Sequence, residues 1–305
     1  MGEVRQSRLH VGLFFSVPGH ADLEAARVTP VPFRHCHGQP PDDAVTLDVP
    51  CYLHARRNVR RLRFHIIAGI GCAGRLPVYV DVNTLHATHG RALTFGTGVK
   101  LANPKLQVIV VMGDGDATAI GGNHFIHAAR RNMDILVILV NNFIYGMTGG
   151  QNAPTTPLTA RSSTMPFGNF ERPFNLPHLA ESCGATFVSR WTCLHIRRLT
   201  KCFRMALRRK GFRFIEVIAP CSTLYARLNR LGSGLNLMQF YHDEAEIKHG
   251  ADTREVDIGF QDKIVCGNFV DTERPTFLEA MHSHYSEVLG DRYVPMAPEG
   301  GWLHD

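Results

Sequence analysis

Two short polar clusters, each closing an apolar run, are the residues best suited to chemistry in this chain of 305 residues. Gly113-Asp114-Gly115-Asp116 follows Leu106–Met112, and Asn141-Asn142 follows Asp134–Val140. Glycines let a backbone approach a phosphate closely. Asp114 offers a carboxylate oxygen, Asn142 an amide oxygen and Ile144 a backbone carbonyl. Such hard oxygens suit an octahedral Mg²⁺ whose other positions go to phosphate and water. Between Gly115 and Asn141 lie 25 residues, the length of one helix plus one strand. A strand–helix–strand unit of that length returns the chain to the same edge of the neighbouring strand, which sets Asp114 beside Asn142. The turn lacks GxGxxG, so it does not read as a dinucleotide-binding loop.

The elements that must position these residues follow from the hydrophobic pattern. Leu106–Met112 and Asp134–Val140 are near-continuous apolar runs, as for parallel strands buried on both faces. Phe64–Gly69, Ala185–Ser189 and Phe212–Ile218 read as further strands, the last of the series. Helices are expected over Gly90–Ala102, Gly121–Asn132, from His178 to Cys183, and over Ile196–Arg209, where Leu199, Phe203 and Leu207 share a face. The alternation predicts an α/β fold, a doubly wound, mostly parallel sheet. Residues 66–228 form that domain. Residues 229–305 read as a polar, loop-rich extension packing on the domain or a partner.

Hydrophobic residues are 44% and charged residues 20%, which excludes a mostly disordered or fibrous chain. No run approaches the roughly 20 apolar residues of a membrane helix. The formal charge of +6 is spread out and joins no nucleic-acid motif. The eight cysteines include no tight CxxC pair, so reduced thiols in the cytoplasm are expected, some of them on metal. Residues 1–65 are atypical: nine Arg, no Lys and no clear period. They read as an Arg/His/Pro-rich leader, either poorly ordered or out of the natural frame of its gene.

The GDG…NN spacing resembles the thiamine diphosphate motif, and the likeness runs further. Over 66–275, the segments GIGCAG, THGRA, GDGDATAIGGNHFIHAARRNMDILVILVNNFIYGMTGGQNAPTTP, FIEVIAPCST and GNFVDTERPTF resemble the β subunit of 2-oxoacid:ferredoxin oxidoreductases, especially the 2-oxoglutarate type. The resemblance implies that Asp114, Asn142 and the Ile144 carbonyl hold Mg²⁺. It implies that Gly115, Asp116, Gly146 and Met147 line the diphosphate. Ile70, Gly71, Cys72 and Ala73 would approach the thiazolium ring, and His89, Gly90 and Arg91 would face the cofactor or the substrate carboxylate. The implied reaction converts 2-oxoglutarate and coenzyme A to succinyl-CoA, carbon dioxide and reduced ferredoxin. The base that activates the cofactor is expected on a partner α subunit, so no catalytic residue is assigned here.

The family also implies a four-iron–four-sulfur cluster on four thiolates. Cys72 and Cys221 match two of them. The family's N-terminal CPGC pair is replaced by Phe33-Arg34-His35-Cys36-His37-Gly38, which leaves Cys36 as a weak substitute. Two other readings stay open: the same chemistry on pyruvate or another 2-oxoacid, and a degenerate subunit that binds thiamine diphosphate without passing electrons. Cys183, Cys193, Cys202 and Cys266 have no role in the family pattern. The basic helix at Ile196–Lys210 reads as a solvated face or a dock for an acidic ferredoxin.

Overall fold

The computed structural model describes residues 64–295, so residues 1–63 of the leader, Cys36 among them, lie outside the described residues. The strands are β1 (Phe64–Ala68), β2 (Asn83–His86), β3 (Gln107–Gly113), β4 (Ile135–Asn141), β5 (Ile144–Tyr145), β6 (Gln151–Asn152), β7 (Phe187–Thr192), β8 (Phe212–Ile218), β9 (Ala245–Ile247) and β10 (Ile264–Asp271). The helices are α1 (Ala92–Ala102), α2 (Gly122–Arg130), α3 (Leu176–Ser182), α4 (Ile196–Arg208), α5 (Gly234–Glu244) and α6 (Phe277–Leu289). Eight strands form one sheet in the order β2-β1-β3-β4-β8-β7-β10-β9, while β5 and β6 make a small separate ribbon. The pairs from β2 through β7 are parallel, and β10 runs antiparallel to β7. The expected mostly parallel α/β sheet is what forms.

The apolar runs dictate this arrangement. Every residue of β4 is buried, and it lies between β3 and β8 at the middle of the sheet. Alternate residues feed two cores. Ile109, Val111, Leu136, Ile138, Ile215 and Val217 share one with Leu199 and Phe203 of α4. Val110, Met112, Val137, Leu139 and Phe214 share the other with Leu93 of α1 and Phe125 of α2. Three layers result, with α1, α2 and α3 on one face of the sheet and α4 on the other.

Several boundaries differ from the sequence reading, each for a local reason. The first helix begins at Ala92 rather than Gly90, because Gly90 adopts φ +73° and gives its N–H to Asp116. Residues Asp116–Ile120 form a wide π-type turn, so α2 is entered only at Gly122. The strand expected over Ala185–Ser189 starts at Phe187 and continues through Arg190 to Thr192. Arg190 looks like a strand terminus in sequence, yet it is 1% exposed and paired with Glu216.

The loop-rich reading of the C-terminal region is corrected. Residues 234–289 hold two helices and two strands, and β10 pairs with β7 as part of the main sheet. Phe212–Ile218 is therefore not the last strand. Capping boxes at Ser233/Asn236 and Thr276/Glu279 start α5 and α6.

The Phe125 ring meets Phe212 and Phe214 edge-on, with centroids 5.4 Å apart in each pair. Phe125→Ala would empty the space between α2 and β8. The expected loss is about 3–5 kcal/mol of unfolding free energy, measured by guanidinium titration.

Candidate functional site

The carboxyl ends of four neighbouring strands carry the sequence-predicted residues. Gly69–Cys72 follows β1, Asp114 follows β3, Asn142 follows β4 and Cys221 lies beyond β8. Open α/β sheets bind ligands along this edge. Gly113 is the register partner of Val140, so Asp114 and the Asn141-Asn142 pair leave the sheet together.

Asp114 is buried, and its Oδ2 accepts a 2.5 Å hydrogen bond from the Thr155 hydroxyl. Burial pushes its carboxyl up to about 6, although Thr155 and the Gly115 backbone stabilise the charged form. A carboxylate in that environment is suited to a cation. Asn142 Oδ1 accepts from the Ile144 N–H at 3.4 Å, curling the chain back toward the β5–β6 ribbon.

Asp116 is committed to a second constellation. Its Oδ1 accepts from the Gly90 N–H at 2.6 Å and lies 2.9 Å from His89 Nδ1. That same ring nitrogen is 3.1 Å from the Ile70 carbonyl oxygen. The three segments carrying Ile70, His89-Gly90 and Asp116 are thus stitched together. Burial raises the Asp116 carboxyl above the usual range. Its Oδ2 presses against Gly69, where a Cβ would come within 1.8 Å of it. Arg91 Nη1 donates to the Ile120 carbonyl at 3.1 Å.

The third cluster converges on Gly146. A Cβ at Gly146 would lie 3.4 Å from Cys221 Sγ, 3.7 Å from Cys72 Sγ and 3.8 Å from Asn142 Nδ2. Two thiols distant in sequence therefore flank the residue that follows the Asn142–Tyr145 bend. The Cys72 thiol is raised above its ordinary value, first by burial and then by the nearby Cys221, with Arg75 opposing. Tyr145 lies across Gly115, its hydroxyl donating to the Gly115 carbonyl at 3.2 Å. A Cβ on Gly115 would meet that ring at 2.2 Å. Gly71 takes φ +134° just before Cys72, and Ala73 opens a 3-10 turn. Ile70 and Met147 remain exposed at the rim. Cys193, Cys202 and Cys266 are buried elsewhere, their thiols pushed up to about 12. Among the described residues, no three His, Cys, Asp or Glu side chains cluster as a metal-ion site.

The sequence reading passed over Thr155, Tyr145 and Gly69. Thr155 sits in the quoted GQNAPTTP segment, but nothing local shows that its hydroxyl reaches Asp114.

Comparison with known proteins joins these observations. Residues 69–217 match the model of the thiamine pyrophosphate enzyme C-terminal, TPP-binding domain. This defines the class: a thiamine pyrophosphate-type α/β domain. The chain is 40% identical over 266 residues to 2-oxoglutarate synthase subunit KorB of Methanocaldococcus jannaschii, covering 86% of this chain and 96% of that protein. It is 43% identical over 228 residues to the KorB subunit of Methanothermobacter marburgensis, covering 74% and 79% respectively. Its fold is similar to that of 2-oxoglutarate:ferredoxin oxidoreductase from Magnetococcus marinus, solved with 2-oxoglutarate, coenzyme A and succinyl-CoA bound. That TM-score is 0.68 at 29% identity, over 77% of this chain and 81% of that one. The chain belongs to the family of KorB subunits of 2-oxoglutarate synthase.

The contact at Gly69 gives a test of the geometry. Gly69→Ala must expel the Asp116 carboxylate and break its bond with the Gly90 N–H. We expect a loss of about 1–3 kcal/mol in guanidinium unfolding. An unchanged midpoint would mean that residues 69 and 116 do not pack in this way.

Proposed function

We propose that this chain is the cofactor-bearing β subunit of a 2-oxoglutarate:ferredoxin oxidoreductase, forming succinyl-CoA, carbon dioxide and reduced ferredoxin together with an α subunit. The observation that carries the reading is the convergence of Cys72, Cys221 and Asn142 on Gly146. It sets two thiols against the edge that holds the buried Asp114. A cofactor with a charged diphosphate and an electron acceptor then need to be only one loop apart.

In this reading Asp114, Asn142 and the Ile144 carbonyl hold Mg²⁺. Gly115, Asp116, Gly146 and Met147 line the diphosphate, with backbone rather than bulk close to the phosphates. Ile70–Ala73 supports the thiazolium end, and His89, Gly90 and Arg91 face the reacting groups. When bound, thiamine diphosphate supplies the electron sink that a 2-oxoacid needs to lose carbon dioxide. The protein's part is positioning: Gly115 and Gly146 leave room, Asp114 supplies the counter-charge, and the His89–Asp116 contact fixes the loop against Ile70. Cys72 and Cys221 are two ligands of a four-iron–four-sulfur cluster, which supplies one-electron transfer. The sequence call on Cys36 falls outside the described residues.

The α4 helix exposes Arg197, Arg198, Lys201, Arg204 and Arg208 along its length. α4 follows β7, whose carboxyl end lies beside that of β8; the Cys193 N–H donates to the Ile218 carbonyl there at 2.9 Å. A basic face leading to the edge that bears Cys221 suits an acidic electron carrier. Reversing Arg198 and Lys201 to Glu should slow ferredoxin reduction at low salt and leave the rate with a small viologen dye unchanged. Equal effects on both acceptors would remove ferredoxin docking from α4.

The central test is reconstitution with the α subunit under anaerobic conditions. We expect viologen reduction that needs both 2-oxoglutarate and coenzyme A. Asp114→Asn should lower it by about 100-fold or more, since even outer-shell changes at metal sites cost about 10–100-fold. Turnover with pyruvate in preference to 2-oxoglutarate would move the chain to another 2-oxoacid. Thiamine diphosphate binding without iron or turnover would make it a cofactor-binding subunit that cannot pass electrons.

A further inference from the structure

Three polar side chains lie inside the sheet among apolar neighbours. Arg190 of β7 and Glu216 of β8 are register partners, and Arg190 Nε donates to Glu216 Oε2 at 2.6 Å. Glu216 Oε1 accepts from Asn141 Nδ2 at 2.8 Å. Asn141 Oδ1 in turn accepts from the Phe143 N–H at 3.0 Å. At the other end, Arg190 Nη1 donates to the Val256 carbonyl at 2.5 Å. All three side chains are buried. The relay begins at the turn near Val256, crosses three strands and ends on the backbone between Asn142 and Ile144.

Phe143 is where the constraint acts. It is a buried aromatic residue at φ +65°, a conformation such residues rarely hold without external support. Its carbonyl accepts from Thr156 Oγ1 at 2.7 Å, and its ring packs on Tyr225 with centroids 5.5 Å apart. The Asn141 bond fixes the remaining polar group of that residue. Stability alone explains the relay poorly. A buried ion pair costs desolvation that its attraction barely recovers, and apolar residues of similar volume often serve the fold as well.

We propose that Arg190, Glu216 and Asn141 are positioning residues for the cation loop. They hold the Asn142 side chain and the Ile144 carbonyl in place before the cation arrives. Glu216 also extends negative potential toward Asp114. The inference rests on the reading of Asp114, Asn142 and Ile144 as the cation ligands, and it adds the buried charges that set their geometry.

The test uses the full chain co-expressed with its α subunit, with Mn²⁺ as a spectroscopic probe in the presence of thiamine diphosphate. Free Mn²⁺ is followed by electron paramagnetic resonance, and the melting temperature is measured without cation or cofactor. The variants are Asn141→Leu, the double variant Arg190→Met with Glu216→Leu, and Asp114→Asn as the control for the site itself. Asn141→Leu and the double variant should each bind Mn²⁺ about 10–100-fold more weakly, with melting temperatures within about 4 °C of the parent. Parental affinity in either variant overturns the proposal. So does affinity lost only alongside a collapse in melting temperature in both, which would assign the relay to the fold. If Asp114→Asn binds Mn²⁺ like the parent, the cation site is wrong and the proposal falls with it. If Asp114→Asn loses binding while Asn141→Leu keeps it, only the positioning role fails.

Discussion

Negative charge buried at the end of a parallel sheet is the constraint on which this structure depends. Asp114, Asp116 and Glu216 are each under 5% exposed. An uncompensated buried carboxylate is costly enough that it either gains partners or takes up a proton. The three are compensated in different ways. Glu216 has a full guanidinium, Arg190, at 2.6 Å. Asp116 has a backbone N–H and a histidine. Asp114 has the Thr155 hydroxyl and backbone hydrogen bonds, and it feels the unfavourable charge of Glu216. It is the one whose environment is best completed by a cation. On the proposed reading, the order of compensation across the sheet edge mirrors a division of labour: charge that shapes the loop is neutralised internally, and charge that would meet the cation is not.

Much of this was legible in the sequence because the central strands are buried on both faces. Ile135–Asn141 and Gln107–Gly113 announce themselves as unbroken apolar runs, and their length fixes where Asp114 and Asn142 emerge. What escaped notice was polar residues doing buried work. Arg190 cut the reading of β7 short, since a lone arginine in sequence looks like an exit to solvent. Its partner Glu216 comes 26 residues later, with a whole helix between them. The C-terminal elements were missed for another reason. β10 mixes Ile264 and Cys266 with Gly267 and Asn268, and a register shift follows Asn268, so neither alternation nor a continuous run is visible. The helix after β10 did carry a signal, the Thr276/Glu279 capping box, which hydrophobic period alone overlooks.

The site residues show the same division. Residue type and spacing pointed to Asp114 and Asn142, and the family resemblance pointed to Cys72 and Cys221. The supports were silent. Gly69 matters for what it omits, a Cβ that would strike Asp116. Omission has no sequence signature unless the partner is known. Tyr145 and Thr155 reach the site from the segment after β4 through contacts that only the folded loop creates.

The arrangement also explains why the thiols and the cation edge share one loop. Asn142 through Gly146 spans both. At one end stands an amide at the strand terminus, at the other a glycine between Cys72 and Cys221. The bend is forced by Phe143 at φ +65° and drawn back by the Thr156 hydroxyl on its carbonyl. A displacement of the loop would therefore shift the phosphate-facing groups and the space between the two sulfurs together. On the proposed reading, rigidity in this segment would serve both the cation and the cluster. A core that neutralises Glu216 with Arg190 and hands the result to Phe143 through Asn141 anchors that loop to the strands rather than to solvent. The connecting loop is thereby fastened to the buried central strands of the sheet.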